Sequence, residues 1–248
     1  PARPMTVKLD LVIPVHNALR ATRDCLRTAR AHAPAWARIL VVNDASDART
    51  TEWLRAQEGI TLLENPVNLG FVKSANRGLL FSDAPYVCLL NSDTLLTPGA
   101  LERMVERLDR EPGIGMCCPL SNSAVNLSVA IPPGEDVFSF ARQVARRSPG
   151  LYPDVTTVVG FCLLVKRELI QTLGVFDEAF DRGYCEETDF HFRARAAGWR
   201  CVVADDTFVY HRQGASFSDT DARFAKNREL LMARWRHRYE TEVAEFNR

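Results

Sequence analysis

The run Tyr86-Val87-Cys88-Leu89-Leu90-Asn91-Ser92-Asp93-Thr94 decides the fold. Five apolar residues read as a short buried strand, and they end abruptly in a polar tip. A helix is expected next, with Thr97 placed to cap it and Pro98 at its first position. Leu101, Met104, Val105 and Leu108 recur on one face of that helix, which ends before Pro112-Gly113.

Toward the N-terminus the same unit repeats. Val7 to Val15, Ile39 to Val42 and Ile60 to Leu63 read as strands. About Ala18 to Ala33, Thr50 to Gln57 and Phe71 to Phe81 read as the helices that follow them. Short apolar strands alternating with amphipathic helices predict an α/β fold, a Rossmann-like, mostly parallel sheet flanked by helices. Ligands of such sheets sit beyond the carboxyl ends of the strands. His16-Asn17, Asn43-Asp44 and Asn91-Ser92-Asp93 all fall there.

Toward the C-terminus the pattern weakens from Ser121 to Pro153, an irregular connection around one helix near Val137 to Arg146. It resumes with a strand over Val158 to Val165 and a helix from about Arg167 to Leu173. A helix from Glu186 to Ala197, stopped by Gly198, precedes a strand over Arg200 to Ala204. The tail from Asp219 to Arg238 reads as an arginine-rich helix.

Bulk properties bound the function. The 248 residues are 46% hydrophobic and 25% charged, as in an ordinary globular chain. Thirty-one basic residues balance thirty-one acidic ones, which argues against affinity gained by neutralising a nucleic-acid backbone. The seven cysteines show no CxxC spacing and lie mostly in apolar runs, as buried reduced thiols of a cytoplasmic protein would. No apolar stretch reaches the roughly 18 residues of a membrane span, and no signal-peptide pattern opens the chain. Its start at Pro1, without an initiator Met, fits a piece of a longer polypeptide.

No GxGxxG follows the first strand, where Pro14-Val15-His16-Asn17 stands, so a dinucleotide-binding dehydrogenase is not expected. Asp44 suits the N3–H of a uracil or thymine ring, and equally suits capping the next helix. Asn68-Leu69-Gly70 leads into a helix start where a diphosphate can approach the backbone, with Lys73 as a nearby cation. The alternative there is a plain helix start with an exposed lysine. Asp93 offers a hard oxygen ligand to a divalent cation that bridges two phosphates and keeps several waters.

Taken together, these residues resemble the family 2 glycosyltransferases of the GT-A fold. In that family the end of this strand carries a metal-binding DxD motif; here Asn91 takes the first position and Asp93 is its only carboxylate. Gly160-Phe161-Cys162-Leu163-Leu164-Val165, Gly174-Val175-Phe176-Asp177-Glu178 and Glu186-Glu187-Thr188-Asp189 resemble the acceptor-side block of bacterial O-antigen and rhamnosyl-type members. The resemblance runs from about Lys8 to Ser216. It implies a single GT-A domain with a nucleotide-binding half over about 7–120, a smaller acceptor-side half over about 155–216 and a helical tail over about 218–246.

The resemblance implies a metal-dependent inverting hexosyltransferase of cell-surface glycan synthesis, placed in the cytoplasm or at the inner face of the membrane. Its donor would be a UDP- or dTDP-sugar and its acceptor a saccharide or lipid-linked saccharide, with Mn²⁺ or Mg²⁺ as cofactor. Glu187 matches the catalytic base, with Glu186 and Asp189 as alternatives. Asp93 and His211, the latter in Val209-Tyr210-His211-Arg212-Gln213-Gly214, match metal ligands. Pro14, Val15, His16, Asn17, Asp44, Asn68, Gly70, Lys73, Asn91, Ser92 and Gly160 are the expected donor contacts. Acids in a first helical turn are also favoured by the helix dipole alone. Two alternatives stay open: a nucleotidyltransferase making nucleotide sugars, and a degenerate domain that only binds a glycan or partner. Arg234-Trp235 resembles the end of the QxxRW motif of processive synthases, but Leu231 stands where the glutamine belongs, so Trp235 is expected to pack within its helix.

Overall fold

The computed structural model of the protein describes residues 6–212 and 220–246. Gln213, Gly214, Ser216 and the expected start of the tail at Asp219 lie outside them. Strands β1 (Leu9–Val15), β2 (Ala37–Asp44), β3 (Thr61–Asn65) and β4 (Tyr86–Leu90) alternate with helices α1 (Leu19–His32), α2 (Ala48–Arg55) and α3 (Phe71–Phe81). β1 pairs in parallel with β2 and β4, and β2 with β3. Parallel neighbours require a crossover, which each helix supplies. β1 is buried along its whole length, as a strand covered on both faces must be.

After β4 come β5 (Thr94–Leu95), α4 (Ala100–Arg110), β6 (Ile114–Leu120) and α5 (Val137–Arg147). Then follow β7 (Cys162–Lys166), α6 (Arg167–Leu173), α7 (Glu186–Ala196), β8 (Arg200–Phe208), β9 (Tyr210–His211) and α8 (Thr220–Phe246). The main sheet runs β3-β2-β1-β4-β7-β6-β8, with β7 antiparallel to both neighbours and β8 parallel to β6. It is the mostly parallel, helix-flanked α/β sheet that the sequence predicts. β5 and β9 form a separate two-stranded ribbon.

Three local expectations are corrected. Thr97 does not cap α4: Gly99, in the left-handed region at φ 70°, precedes the helix, and no side chain caps it. The Thr97 hydroxyl instead donates to the Phe208 carbonyl at 2.5 Å, fastening β8 to this turn. β7 begins at Cys162 rather than Val158, because the chain turns at Gly160-Phe161 before it enters the sheet. β6 has no counterpart in the sequence reading. Its Gly115 lies against Trp199, where an added Cβ would sit 3.1 Å from that side chain, and its Pro119 stands at a register shift against β8. A glycine and a proline within seven residues mask a strand. All seven cysteines are free and buried.

Candidate active site

The carboxyl ends of β1, β2 and β4 converge on one edge of the sheet. Beyond β4 the chain turns tightly, with the Asn91 carbonyl accepting from the Thr94 hydroxyl at 2.7 Å and its amide donating to Phe161 at 2.8 Å. The ribbon then brings in residues from far along the chain, since Thr94 pairs with His211. Asp93 Oδ1 faces His211 Nε2 at 3.3 Å, and both side chains are largely buried.

The environment of His211 defines what lies between them. Its backbone amide donates to Asn122 Oδ1 at 2.8 Å and its carbonyl accepts from the Asn122 amide at 2.9 Å. Its ring stacks on Phe161, with centroids 5.2 Å apart and planes at 16°. Nδ1 lies 3.2 Å from the Ser123 carbonyl, an acceptor, so Nδ1 carries a proton. Nε2 is left facing the Asp93 carboxylate, a ring nitrogen and a carboxylate oxygen of the kinds that divalent cations take as ligands. A ring nitrogen and a carboxylate oxygen converging in this way fit a shared cation. The carbonyl on the far nitrogen is the support that metal-bound histidines receive. Among the described residues no group of three or more histidine, cysteine or acidic side chains is placed to hold a metal ion. A divalent ion here would therefore draw its other positions from diphosphate oxygens and water.

The second group holds the loops beyond β1, β2 and β3 together. His16 Nδ1 donates to the Asp44 carbonyl at 2.8 Å, and Nε2 accepts from the amides of Asn17 and Asn68 at 3.2 and 3.0 Å. Asn17 lies in the left-handed region at φ 57°. Its side-chain carbonyl accepts from the Asp47 amide at 2.7 Å, and its own amide donates to Ser46. Pro14 and Val15 are buried in β1, and Ser92 is buried in the turn after β4. Asp44 is buried too. Its carboxylate accepts from Asn65 at 2.7 Å, the Leu69 amide at 2.8 Å and the Gly70 amide at 2.9 Å. Capping of α2 falls to Asp47, whose carboxylate accepts from the Thr50 amide.

Gly70 serves differently from the sequence expectation. Its amide is taken by Asp44 and Asn68, so it is not the group left for a diphosphate. It must be glycine for two other reasons: its φ is +85°, and an added Cβ would lie 2.7 Å from the Arg182 side chain. Lys73 is half-exposed and sits 4.0 Å from Glu178.

The third group is acidic. Glu187 opens α7 beside Gly160, where an added Cβ would lie 3.7 Å from the Glu187 Cβ. Since Phe161 touches His211 and bonds to Asn91, Gly160 links the acidic turn to the Asp93 turn. Burial, and after it the charge of Glu187, push the Glu186 carboxyl well above its usual range. Burial also raises Glu187, while its own backbone amide and the Glu186 carboxyl pull it back. Both carboxyls of the pair are thus held above their usual range. One oxygen of each is buried without a hydrogen-bond partner. Orphaned acceptors of this kind call for an explanation, and an incoming hydroxyl supplies one.

Asp189 is placed otherwise. It is buried, and its oxygens accept from Arg193 at 2.9 Å, Arg234 at 3.2 Å and the Trp235 indole at 2.9 Å. A carboxylate so engaged ties α7 to α8, its oxygens already taken up by these donors. Trp235 also packs on Phe192, as expected of a helix-packing residue. Asn122, Ser123 and Phe161 fix His211, and sequence reading gave none of them that role. Only the pairing of β5 with β9 brings them together.

Comparison with known proteins bears on this geometry. The family model described as glycosyl transferase family 2 matches residues 10–174. A pre-mycofactocin glycosyltransferase of Mycobacterium tuberculosis is 25% identical over 228 residues, spanning 91% of this chain and 47% of the relative. An N-acetylglucosaminyl-diphospho-decaprenol L-rhamnosyltransferase of the same species is 26% identical over 215 residues, 72% of this chain and 67% of the relative. The crystal structure of GalNAc-T7 with UDP, GalNAc and Mn²⁺ aligns with a TM-score of 0.72 at 13% identity, over 95% of this chain and 50% of that one. The last is a likeness of fold, and it makes the sheet a GT-A sheet. The chain spans about half the length of the pre-mycofactocin relative. By the family model, which covers most of its sheet, the chain belongs to glycosyl transferase family 2.

Proposed function

We propose that the protein is a metal-dependent inverting glycosyltransferase. It moves a hexose from a UDP- or dTDP-sugar to a hydroxyl of a saccharide or lipid-linked saccharide in cell-surface glycan synthesis. The observation that carries this reading is the facing pair Asp93 and His211, a carboxylate oxygen and a ring nitrogen 3.3 Å apart with the far ring nitrogen on the Ser123 carbonyl. Support comes from the Mn²⁺ and UDP named for the GT-A structure and from the lipid-diphosphate acceptor named for the rhamnosyltransferase.

In this reading Asp93 and His211 would hold a divalent ion, whose chemistry there would be positive charge for the departing diphosphate. The loops fixed by His16, Asn17, Asp44 and Asn68 form the floor for the nucleotide, with Ser92 and Gly160 flanking the sugar. Glu187 takes the proton of the acceptor hydroxyl as its oxygen bonds to the anomeric carbon. The bond from that carbon to the diphosphate oxygen breaks, and the nucleoside diphosphate leaves from the opposite face. Attack opposite the leaving group inverts the centre. Glu186 stands beside it, its carboxyl raised well above the usual range by burial and then by the charge of Glu187.

Glu187→Gln tests the assignment. Transfer is expected to fall by about 10²–10⁴-fold, the usual worth of a positioned base, with nucleotide affinity retained. Near-normal turnover would remove Glu187 from this role.

A further inference from the structure

The acidic turn is fastened from α8 on both sides. The four residues Asp181, Gly183, Tyr184 and Cys185, just before Glu186, have φ of 52°, 123°, 76° and 73°. Three of them are not glycine, so the backbone occupies a conformation that L side chains rarely adopt. Such a loop persists only where its surroundings over-determine it.

Asn227 does this. It is 1% exposed, and its side-chain nitrogen donates to the Phe180, Gly183 and Tyr184 carbonyls at 2.8, 2.7 and 3.0 Å. An amide group carries two hydrogens, so three carbonyls converging on it share them. Without this donor the three carbonyls would lose the amide that draws them together, and the peptide planes that set the start of α7 would be free to turn outward. Behind the glutamates, Arg234 and Trp235 hold Asp189, and Arg238 donates to the Phe192 carbonyl. The Glu186–Glu187 pair thus stands between two attachments, both from α8.

We infer that Asn227 is a positioning residue for transfer, fixing loop 180–185 so that Glu187 meets the acceptor hydroxyl. The inference rests on Glu187 as the base and adds a determinant 40 residues away in sequence. Asn227 touches neither substrate nor metal in this account, so its loss spares donor binding and costs the chemical step.

The test compares Asn227→Leu, which keeps the volume and loses the donor, with Leu231→Ala, a cavity variant one turn along the same helix. Measured on each are hydrogen exchange of the amides over 181–187 and release of nucleoside diphosphate from a UDP- or dTDP-sugar with Mn²⁺. Asn227→Leu is expected to exchange faster over 181–187 and to lose about 100-fold in kcat, the scale of a small misplacement of a reacting group, while donor KM stays near that of the parent. Leu231→Ala is expected to lose thermal stability and keep its kcat. Should the leucine variant fail to fold, Asn227→Gln, with the amide one methylene further out, carries the same expectation in milder form. An unchanged kcat in a folded Asn227 variant overturns the inference, as does an equal kcat loss in Leu231→Ala. A parent enzyme that releases no nucleotide from any donor gives a different outcome: it removes the transfer reading, and the inference with it.

Discussion

Glu186 and Glu187 are neighbours with separate fates. Burial raises both, and the charge of Glu187 raises Glu186 further. A carboxyl whose native value lies above its unfolded one stabilises the fold while protonated. For Glu186 that contribution is complete below the unfolded value near 4.5, and it is lost progressively as pH climbs toward the raised native value. Glu186→Gln, which cannot ionise, should therefore raise Tm at pH 7–8 relative to the parent and narrow the gap near pH 4; thermal melts across pH measure this. An equal Tm difference at both pH values would contradict the assignment. The acids themselves were legible as a Glu-Glu-x-Asp cluster, and their ranking was not. Asp189 leaves the candidate set because Arg234 and Trp235 reach it from 45 and 46 residues away, a contact no local pattern encodes.

Among the elements, the first four strands and their helices were readable because each carries its own periodicity and ends in polar residues. Packing between elements adds constraints that single positions reveal afterwards. Gly78 on α3 lies against β1, where an added Cβ would sit 2.2 Å from Val12 Cγ1. In a helix interior alanine is otherwise favoured over glycine, so here the sign is reversed. Gly78→Ala should lower stability by about 1–3 kcal/mol, the usual cost of overpacking a core, as read by denaturant unfolding; a neutral or stabilising result would show that β1 and α3 can separate. β6 escaped notice because Gly115 and Pro119 serve contacts with Trp199 and β8 rather than the strand itself. Thr97 misled in the opposite sense, as a good capping residue used to bind β8.

Across the whole molecule, the sheet gathers three groups of residues that lie far apart in sequence. The nucleotide-side loops come from β1 to β3, the acidic turn from α7, and the histidine from a ribbon that joins positions 94 and 211. The polar strand tips announced the first group. The meeting of Asp93 with His211 depends on antiparallel pairing across more than a hundred residues, and only resemblance to a family anticipated it. Among the described residues no helix is long and apolar enough to cross a membrane.

The central claim is that Asp93 and His211 form a cation site serving a nucleoside diphosphate. Thermal melts with UDP, dTDP, GDP and CDP, each with and without Mn²⁺, test it most directly in the parent and in Asp93→Asn. A ligand at about 100 times its Kd adds roughly 2.7 kcal/mol, worth about 5–10 °C in a chain of this size. The account predicts a rise in Tm with UDP or dTDP that Mn²⁺ enlarges in the parent and fails to enlarge in Asp93→Asn. No shift with any nucleotide in the presence of Mn²⁺, or a metal-dependent gain that survives in Asp93→Asn, would contradict it.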